Sequence, residues 1–496
     1  MEALQITGIF GVFIVMTLLM FYRLLPALLA LPLMAILIAF FGGVAPDQIL
    51  QHVVGAGPLK LSSAYTIAMF GGMLSLMLQK TGVAENFIKK GAELAGDQPW
   101  TISVTMLLLI VLLFSTLGGL GAIIMVATIV LPVLAAVGVG PMTSVGIFLF
   151  GVSIGGTLNV GNWALYTSVM KLSVDQIRPF ALIIFSILMA MALVYITLQL
   201  YFDGHDLRLK SLVAKGAGAL VAVAGGLLGW FYGFSEALKA SISQAMAVAW
   251  TGFQYVTGGL LAVLMIWVFY RAFQHRKRRE HPVHWSAFLA PVLPLVLILV
   301  FQVNFIAAFV AGLLYAFVST YKRGHLNTLT QASIEGAGVV MPAVILMFGI
   351  GMILVAIMGP GGDIKPEDWP VLQLIQPFTR QLIPTTPLAY VGIFSLLAPL
   401  ALYRGPLNLW GMGFGLAPVF LAAGIPPAAV MGLLLSVGQI QGISDPTNTQ
   451  NVWLASEMRV DVQKVMWNTL PYAWGTAFLG LIISALMFMG GSHGAY

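Results

Sequence analysis

The chain has 496 residues, of which 59% are hydrophobic and only 8% charged, with a net charge of +6 and a mean hydropathy of +0.97. A soluble domain carries about 25% charged residues, so the composition excludes a soluble protein and points to a polytopic membrane bundle. There is no cysteine, which excludes disulfides and thiolate metal sites. Much of the basic excess lies in Arg271, Arg276, Lys277, Arg278 and Arg279, a juxtamembrane topology signal rather than a nucleic-acid patch.

In chain order, apolar runs bounded by charge, Gly or Pro predict spans at Leu4–Phe21, Leu24–Phe41, Ser62–Leu78, Ile102–Ser115 and Gly119–Val137. A broken element from Thr143 past Asn162 follows, then a span at Phe180–Tyr201. Leu4–Met20 has no basic residue before it and no small-residue cleavage site after it, so it reads as a span and not as a signal peptide. Glu85–Asp97, with Phe87, Ile88, Ala92 and Leu94, predicts an amphipathic surface helix. Two middle spans come next, Ala214–Trp230 and Trp250–Tyr270. The remainder predicts Ala287–Phe301, Asn304–Ser319, Gly338–Met358, Leu388–Leu402, Gly405–Ala423, a second broken element from Ala428 past Asn448, and Pro471–Met489.

Residues 132–175 align with 418–461 without a gap. Twelve pairs are identical, at 132, 133, 136, 138, 141, 146, 149, 154, 156, 162, 174 and 175 of the first copy. Five of the twelve are Gly or Pro, residues that set backbone shape. Upstream, Gly55-Ala56-Gly57 matches Gly336-Ala337-Gly338, and Met69-Phe70-Gly71 matches Met347-Phe348-Gly349. The chain therefore divides into a first repeat (1–202), connecting spans with a basic loop (203–285) and a second repeat (286–496).

The alignment pairs two interruptions. Asp445-Pro446-Thr447-Asn448 falls on Asn159-Val160-Gly161-Asn162, and no helix passes Asp-Pro unbroken. In the same register Gly118-Gly119-Leu120-Gly121 falls on Arg404-Gly405-Pro406-Leu407, each between apolar segments short for full spans. Such places suit the tips of re-entrant hairpins. Non-helical backbone at membrane depth is tolerated only where it is buried in protein or lines a cavity, so the matched places predict one central site. With the Arg271–Arg279 cluster in the cytoplasm, Arg23, Lys89, Lys90, Lys322 and Arg323 fall inside. The N-terminus, Asp47, Asp363, Glu367 and Asp368 fall outside, and the repeat is inverted. The expected fold is an all-α polytopic membrane protein of two inverted-topology repeats with re-entrant hairpins and broken helices.

Arg404 is the isolated charge in this pattern and suits a clamp for an anionic group; the alternative is an arginine snorkelling from a turn. Asp445 is the carboxylate of the second break, where the first has Asn159. It suits Na⁺ ligation, proton uptake, pairing with Arg404, or capping of the following half-helix. Thr157, Asn159, Asn162, Thr447 and Asn448, with the tip residues Gly119 and Gly405, complete a substrate site around Arg404. Ser444, Asn448 and Thr449 join Asp445 as coupling-ion ligands. Half-helix N-termini would face an anion and freed carbonyls a cation; alternatively these side chains only satisfy the broken backbone. Glu335 and His52 read as interfacial, and Asp175 and Asp461 as surface helix starts.

Enzyme signatures are missing: there is no metal pair on a helix face, no phosphate loop, no Ser-His-Asp setting and no paired carboxylates in one span. The expectation is a non-enzyme without a cofactor, Na⁺ at Asp445 being the one metal considered. Phe70-Gly71-Gly72-Met73-Leu74 through Thr81-Gly82, the order of hairpin then broken helix, and Asp445-Pro446-Thr447-Asn448 resemble the ion transporter superfamily. That group holds divalent anion–sodium symporters, citrate and gluconate permeases, and arsenite-permease-like sodium/proton antiporters. The resemblance is architectural and covers nearly the whole chain. Symporters of the group tend to carry Ser-Asn-Thr-like or Asn-Pro-Thr-like tips. Here the breaks read Asn-Val-Gly and Asp-Pro-Thr, and Gly118-Gly119 replaces a polar first tip, which argues against a symmetric pair of sodium sites. The resemblance implies an elevator-type homodimer with a scaffold from the early spans of each half.

Taken together, the residues and the resemblance lead to a secondary active transporter of a small organic anion, a carboxylate, coupled to H⁺ or Na⁺. Its setting is the bacterial inner membrane with the N-terminus outside. Its partners are a small anionic metabolite, the lipid bilayer and a second copy of the chain, and no nucleic acid. Two rivals stand beside it. One is a Na⁺/H⁺ antiporter on the same scaffold, with Asp445 as the shared site. The other is a membrane enzyme or assembly subunit without transport.

Overall fold

A computed structural model describes residues 2–22, 24–205, 235–275, 283–409 and 413–490. The expected span Ala214–Trp230, Arg23, and the basic residues 276–279 lie outside these residues. Among the described residues all regular elements are helices, apart from an isolated bridge between Gly361 and Ile364. Nine helical stretches there are long and apolar enough to cross a membrane.

The first part of the chain runs α1 (Glu2–Phe21), α2 (Ala27–Phe41), a widely wound π-helical segment (Ile49–Ala56) followed by the tight turn Pro58–Leu61, and α3 (Ser62–Lys80). The surface helix α4 (Val83–Ala95) leads to α5 (Pro99–Phe114) and α6 (Leu120–Ala136), which form a hairpin. The broken element is α7 (Pro141–Leu158) with α8 (Val160–Met170), and α9 (Val174–Phe202) closes this part. After α10 (Glu236–His275) come α11 (Leu293–Leu299), α12 (Phe305–Ser319) and α13 (His325–Met358). Then follow α14 (Pro370–Leu382), a hairpin of α15 (Pro387–Leu397) and α16 (Phe414–Ala422), the broken element α17 (Pro427–Ser444) with α18 (Thr449–Glu457), and α19 (Val462–Phe488).

Several helices depart from their expected bounds: α10 starts at Glu236 rather than Trp250, and α11 covers only Leu293–Leu299 of the expected Ala287–Phe301. α13 starts at His325 rather than Gly338, because its polar first turns remain helical beyond the apolar run; there Glu335 pairs with Lys80 of α3 at 2.9 Å. Leu388–Leu402 falls within one candidate span, Pro387–Arg404, but its winding changes along the way. α15 gives way to a short turn, Ala398–Arg404, in which Leu402 is extended and Tyr403 has φ 54°. Asp175 and Asp461 do lie at helix starts. α9 begins with a Ser173–Gln176 capping box, and Asp461 accepts the backbone N–H groups of Gln463 and Lys464.

α3 and α13 cross antiparallel at glycines. A Cβ on Gly336 would meet the Gly72 carbonyl and the Met73 Cα, and a Cβ on Gly351 would meet the Gly57 carbonyl. Such close backbone approach is how helices associate in lipid, where the hydrophobic effect between them is absent. α9 and α19 are antiparallel as well: Phe180 packs beside Phe488 at one end, the rings tilted with centroids 5.5 Å apart. At the other end the Tyr195 hydroxyl donates to Asn468 Oδ1 at 2.7 Å. Helices at matched places thus run in opposite directions, the relation an inverted repeat requires.

Gly336→Ala is expected to lower the unfolding temperature in detergent, an overpacking cost of about 1–3 kcal/mol, because the atoms it meets are backbone and cannot swing away. Gly252→Ala on α10, with open space around it, serves as the control and should not lower the transition, since Ala is the better helix former.

Candidate functional site

α7 and α17 start on a proline and end at positions that match in the repeat. Proline at the first helical position gives up no needed N–H. Just upstream, matched Gly138 and Gly424 hold φ values of 82° and 94°, where a side chain would be strained. Each helix stops on an extended residue, Asn159 (φ −70°, ψ 114°) or Asp445 (φ −70°, ψ 112°). The two broken helices touch near these ends: the Ser153 hydroxyl donates to Gln439 Oε1 at 2.7 Å, buried. These two residues are 286 apart, the offset of the repeat itself. Equivalent positions in contact lie at the axis relating the copies, so both breaks flank that axis.

A helix end leaves carbonyls without partners. In the first copy the Gly156 carbonyl accepts from the Asn162 amide at 2.8 Å, and the Thr157 carbonyl from the Trp163 indole at 2.8 Å. In the second copy the Gln441, Gly442 and Ile443 carbonyls accept from Asn448 (3.4 Å), Gln450 (3.1 Å) and Asn451 (3.2 Å). The matched amides Asn162 and Asn448 therefore satisfy broken backbone. Thr157 donates to the Ile154 carbonyl, and Ser444 shares a 2.8 Å bond with Thr469.

Both hairpin tips dock on the breaks. Asn159 Nδ2 donates to the carbonyls of Phe114 (3.2 Å) and Leu117 (3.3 Å), while its Oδ1 accepts from Gly161 N–H at 3.0 Å. Asp445 is fully buried. Its Oδ1 accepts from Tyr403 N–H (3.0 Å), Thr447 N–H (2.9 Å) and the Thr447 hydroxyl (2.7 Å). Its Oδ2 accepts from Asn408 Nδ2 at 3.1 Å. Leu117 and Tyr403 are matched positions, so the latch repeats with its polarity reversed. The first tip offers carbonyls to an amide; the second, turned by left-handed backbone at Tyr403 and Arg404, offers an N–H to a carboxylate.

Arg404 is exposed, and no described ion pair joins it to Asp445; the carboxylate faces backbone and amide donors instead. Thr449, the first residue of α18, is exposed, as is Gly119. Gly405 is buried against the Leu400 and Leu402 carbonyls. Two residues of this region escaped the sequence reading. Asn408 holds Asp445, and Asn451 is 1% exposed with its Oδ1 lacking any hydrogen-bond partner. The available signal was a polar residue where the other copy has Ala122 or Leu165. Among the described residues no cluster of His, Cys, Asp and Glu could hold a metal.

No family model matches the chain, and no curated protein matches it. Among solved structures it is similar to a crystal structure of the Alcanivorax borkumensis YdaH transporter, described as revealing an unusual topology. The TM-score is 0.48 and the identity 14%, over 88% of this chain and 86% of that one.

Asp445→Asn sets an amide against the Asn408 amide and should cost about 1–3 kcal/mol of stability, the usual penalty for a buried group left unpaired. Adding Asn408→Asp restores donor to acceptor at position 445 but gives up the bond of Asn408 Nδ2 to the Ala401 carbonyl at 3.1 Å, so it should recover only part of the lost unfolding temperature. A double variant no more stable than the single one would remove this latch as a stabilising contact.

Proposed function

We propose that the protein is a secondary active transporter that couples a small organic anion, a carboxylate, to Na⁺. The observation that carries this reading is the matched pair of helix breaks flanking one axis, each met by a hairpin tip. Discontinuous helices meeting at a repeat interface are where transporters place substrate and ion. Arg404, exposed at the second tip and in no described ion pair, supplies a guanidinium suited to a carboxylate. α18 begins at Asn448 without a side-chain cap bond, which leaves the positive end of that half-helix for the same anion. Thr157, Asn159, Asn162, Thr447, Asn448, Gly119 and Gly405 shape the space around it.

For the cation, the fully buried Asp445 supplies the carboxylate of the second break. Asn451 Oδ1 is a buried neutral oxygen without a partner, a ligand type that hard cations take. This favours Na⁺ over H⁺, with Asn451 beside Ser444, Asp445 and Thr449 in the ion set. The reading includes inverted repeats at 1–202 and 286–496 joined by 203–285. It also includes an elevator-type homodimer in a bacterial inner membrane, with the N-terminus outside. The resemblance to the ion transporter superfamily supports these.

Proteoliposomes loaded to give a Na⁺ or a pH gradient, offered a panel of small carboxylates, test it. Na⁺-driven uptake is expected, lost in Arg404→Ala with the unfolding temperature unchanged. Asn451→Ala should raise the Na⁺ concentration for half-maximal uptake on the order of 10–100-fold, as lost metal-site support does. Uptake indifferent to Na⁺ sinks the coupling, and full uptake by Arg404→Ala sinks the clamp.

A further inference from the structure

The end of α10 carries a cluster that the breaks and hairpin tips do not use. α10 packs on α12 and turns other parts of its surface outward, with Leu260, Val263, Ile266 and Phe269 exposed. Its last turns hold Trp267 and Arg271. The Trp267 ring stacks on Trp285, with centroids 5.7 Å apart and planes 21° apart. His284, whose Nδ1 accepts from the Ser286 N–H at 3.2 Å, lies 5.0 Å from the same ring. Indoles gathered at the end of an apolar helix suit the headgroup level of a bilayer.

Arg271 stands one turn beyond this stack, its guanidinium carbon 5.8 Å from the Trp267 centroid. A cation over an indole face is held by the ring quadrupole, which fixes where the fork points. Arg271, Val268, Val318, Ser286, Ser319 and Tyr321 border a cavity of about 10 Å³. That is room for one water-sized group, so the cavity takes a single oxygen and not a whole ligand.

Charge narrows what that oxygen belongs to. Lys322 and Arg323 follow Tyr321, and the sequence after His275 reads Arg276-Lys277-Arg278-Arg279-Glu280, four basic residues to one acidic. α4, which reaches the Trp285–Leu289 turn, adds no net charge there, because Lys89 and Lys90 pair with Glu85 and Glu93. The local potential is positive and gathers anions. A guanidinium fork with five donors fits the oxygens of a phosphate. The exposed apolar flank of α10 beside it fits hydrocarbon.

We propose that an anionic phospholipid binds at this end of α10, with one phosphate oxygen in the cavity against Arg271 and its acyl chains along the exposed flank of the helix. The lipid joins α10 to α12 at headgroup level. The site is separate from the matched breaks and does not depend on what the chain transports.

The full chain, delipidated in neutral detergent, is titrated with phosphatidylglycerol, phosphatidylcholine or inorganic phosphate. Bound lipid is counted by native mass spectrometry, and the unfolding temperature is recorded. Phosphatidylglycerol is expected to bind and to raise the unfolding temperature, whereas phosphatidylcholine and phosphate do neither. Arg271→Gln should weaken phosphatidylglycerol binding roughly 10–100-fold, the weight of hydrogen bonds to a charged group. Arg271→Lys keeps the charge but replaces the fork with a point donor; it should bind between the two, and it is the variant read if Arg271→Gln does not fold. Arg323→Gln, on the exposed surface, should shift binding by less than about threefold. Equal binding of phosphatidylcholine overturns the anionic requirement. Binding of inorganic phosphate that Arg271→Gln abolishes gives the cavity to a free anion and overturns the lipid. Equal weakening by Arg271→Gln and Arg323→Gln reduces the attraction to diffuse surface charge and overturns a site at Arg271.

Discussion

A helix that stops inside a bilayer leaves its last carbonyls with neither water nor a next turn to bond. In this chain that constraint arises twice, at Leu158 and at Ser444, and the surrounding architecture answers it. The residues just past each break reach back over it: Asn162 and Trp163 in one copy, Asn448, Gln450 and Asn451 in the other. Because those donors sit on the next half-helix, the angle between half-helices is tied to the bonds that close the gap. The hairpin tips finish the enclosure from the other side, through Asn159 and Asp445. Remove any of these donors and backbone, not only a side chain, is left unpaired in a setting without water.

The same constraint explains why charge appears in one copy alone. Where a tip presents carbonyls, as at Phe114 and Leu117, a neutral amide suffices to latch it. Where the backbone turns left-handed and presents an N–H with an amide beside it, the latch must accept on both oxygens, and a carboxylate does so. Asp445 is thus accounted for by geometry before any ion is invoked. Arg404 is exposed and not drawn into that network.

What could be read from the residues, and what could not, divides along the range of the interaction. The repeat, the breaks and the helix starts at Asp175 and Asp461 are local: proline, glycine and capping side chains act within a few residues, so their effects lie in the string. The polar start of α13 was missed because Glu335 is matched by Lys80, far away in sequence. Charge alone suggests a pairing with Arg404 as one of several roles for Asp445, but its described partners are Asn408, the Tyr403 N–H and the Thr447 N–H and hydroxyl, none of which carries charge. Asn451 went unnoticed for a similar reason. A neutral amide in a span looks like a helix-capping residue until its oxygen is seen to be buried and empty.

Identity between the copies survives where backbone shape is set and lapses where a donor must meet an acceptor. Gly138 with Gly424, and Pro141 with Pro427, do the same task in both halves. On the axis the case differs, because there each copy touches its own equivalent. Gln439 commits its Nε2 to the Leu435 carbonyl at 2.8 Å, so only its oxygen faces the other copy. A second glutamine tied down in the same way would bring oxygen against oxygen. Ser153 supplies a hydroxyl donor at 2.7 Å instead. A hydrogen bond across such an axis has a direction, and the axis is therefore approximate from its centre outward. With the centre already unequal, nothing obliges matched positions to be equally covered: Tyr166 is buried and its match Val452 is exposed.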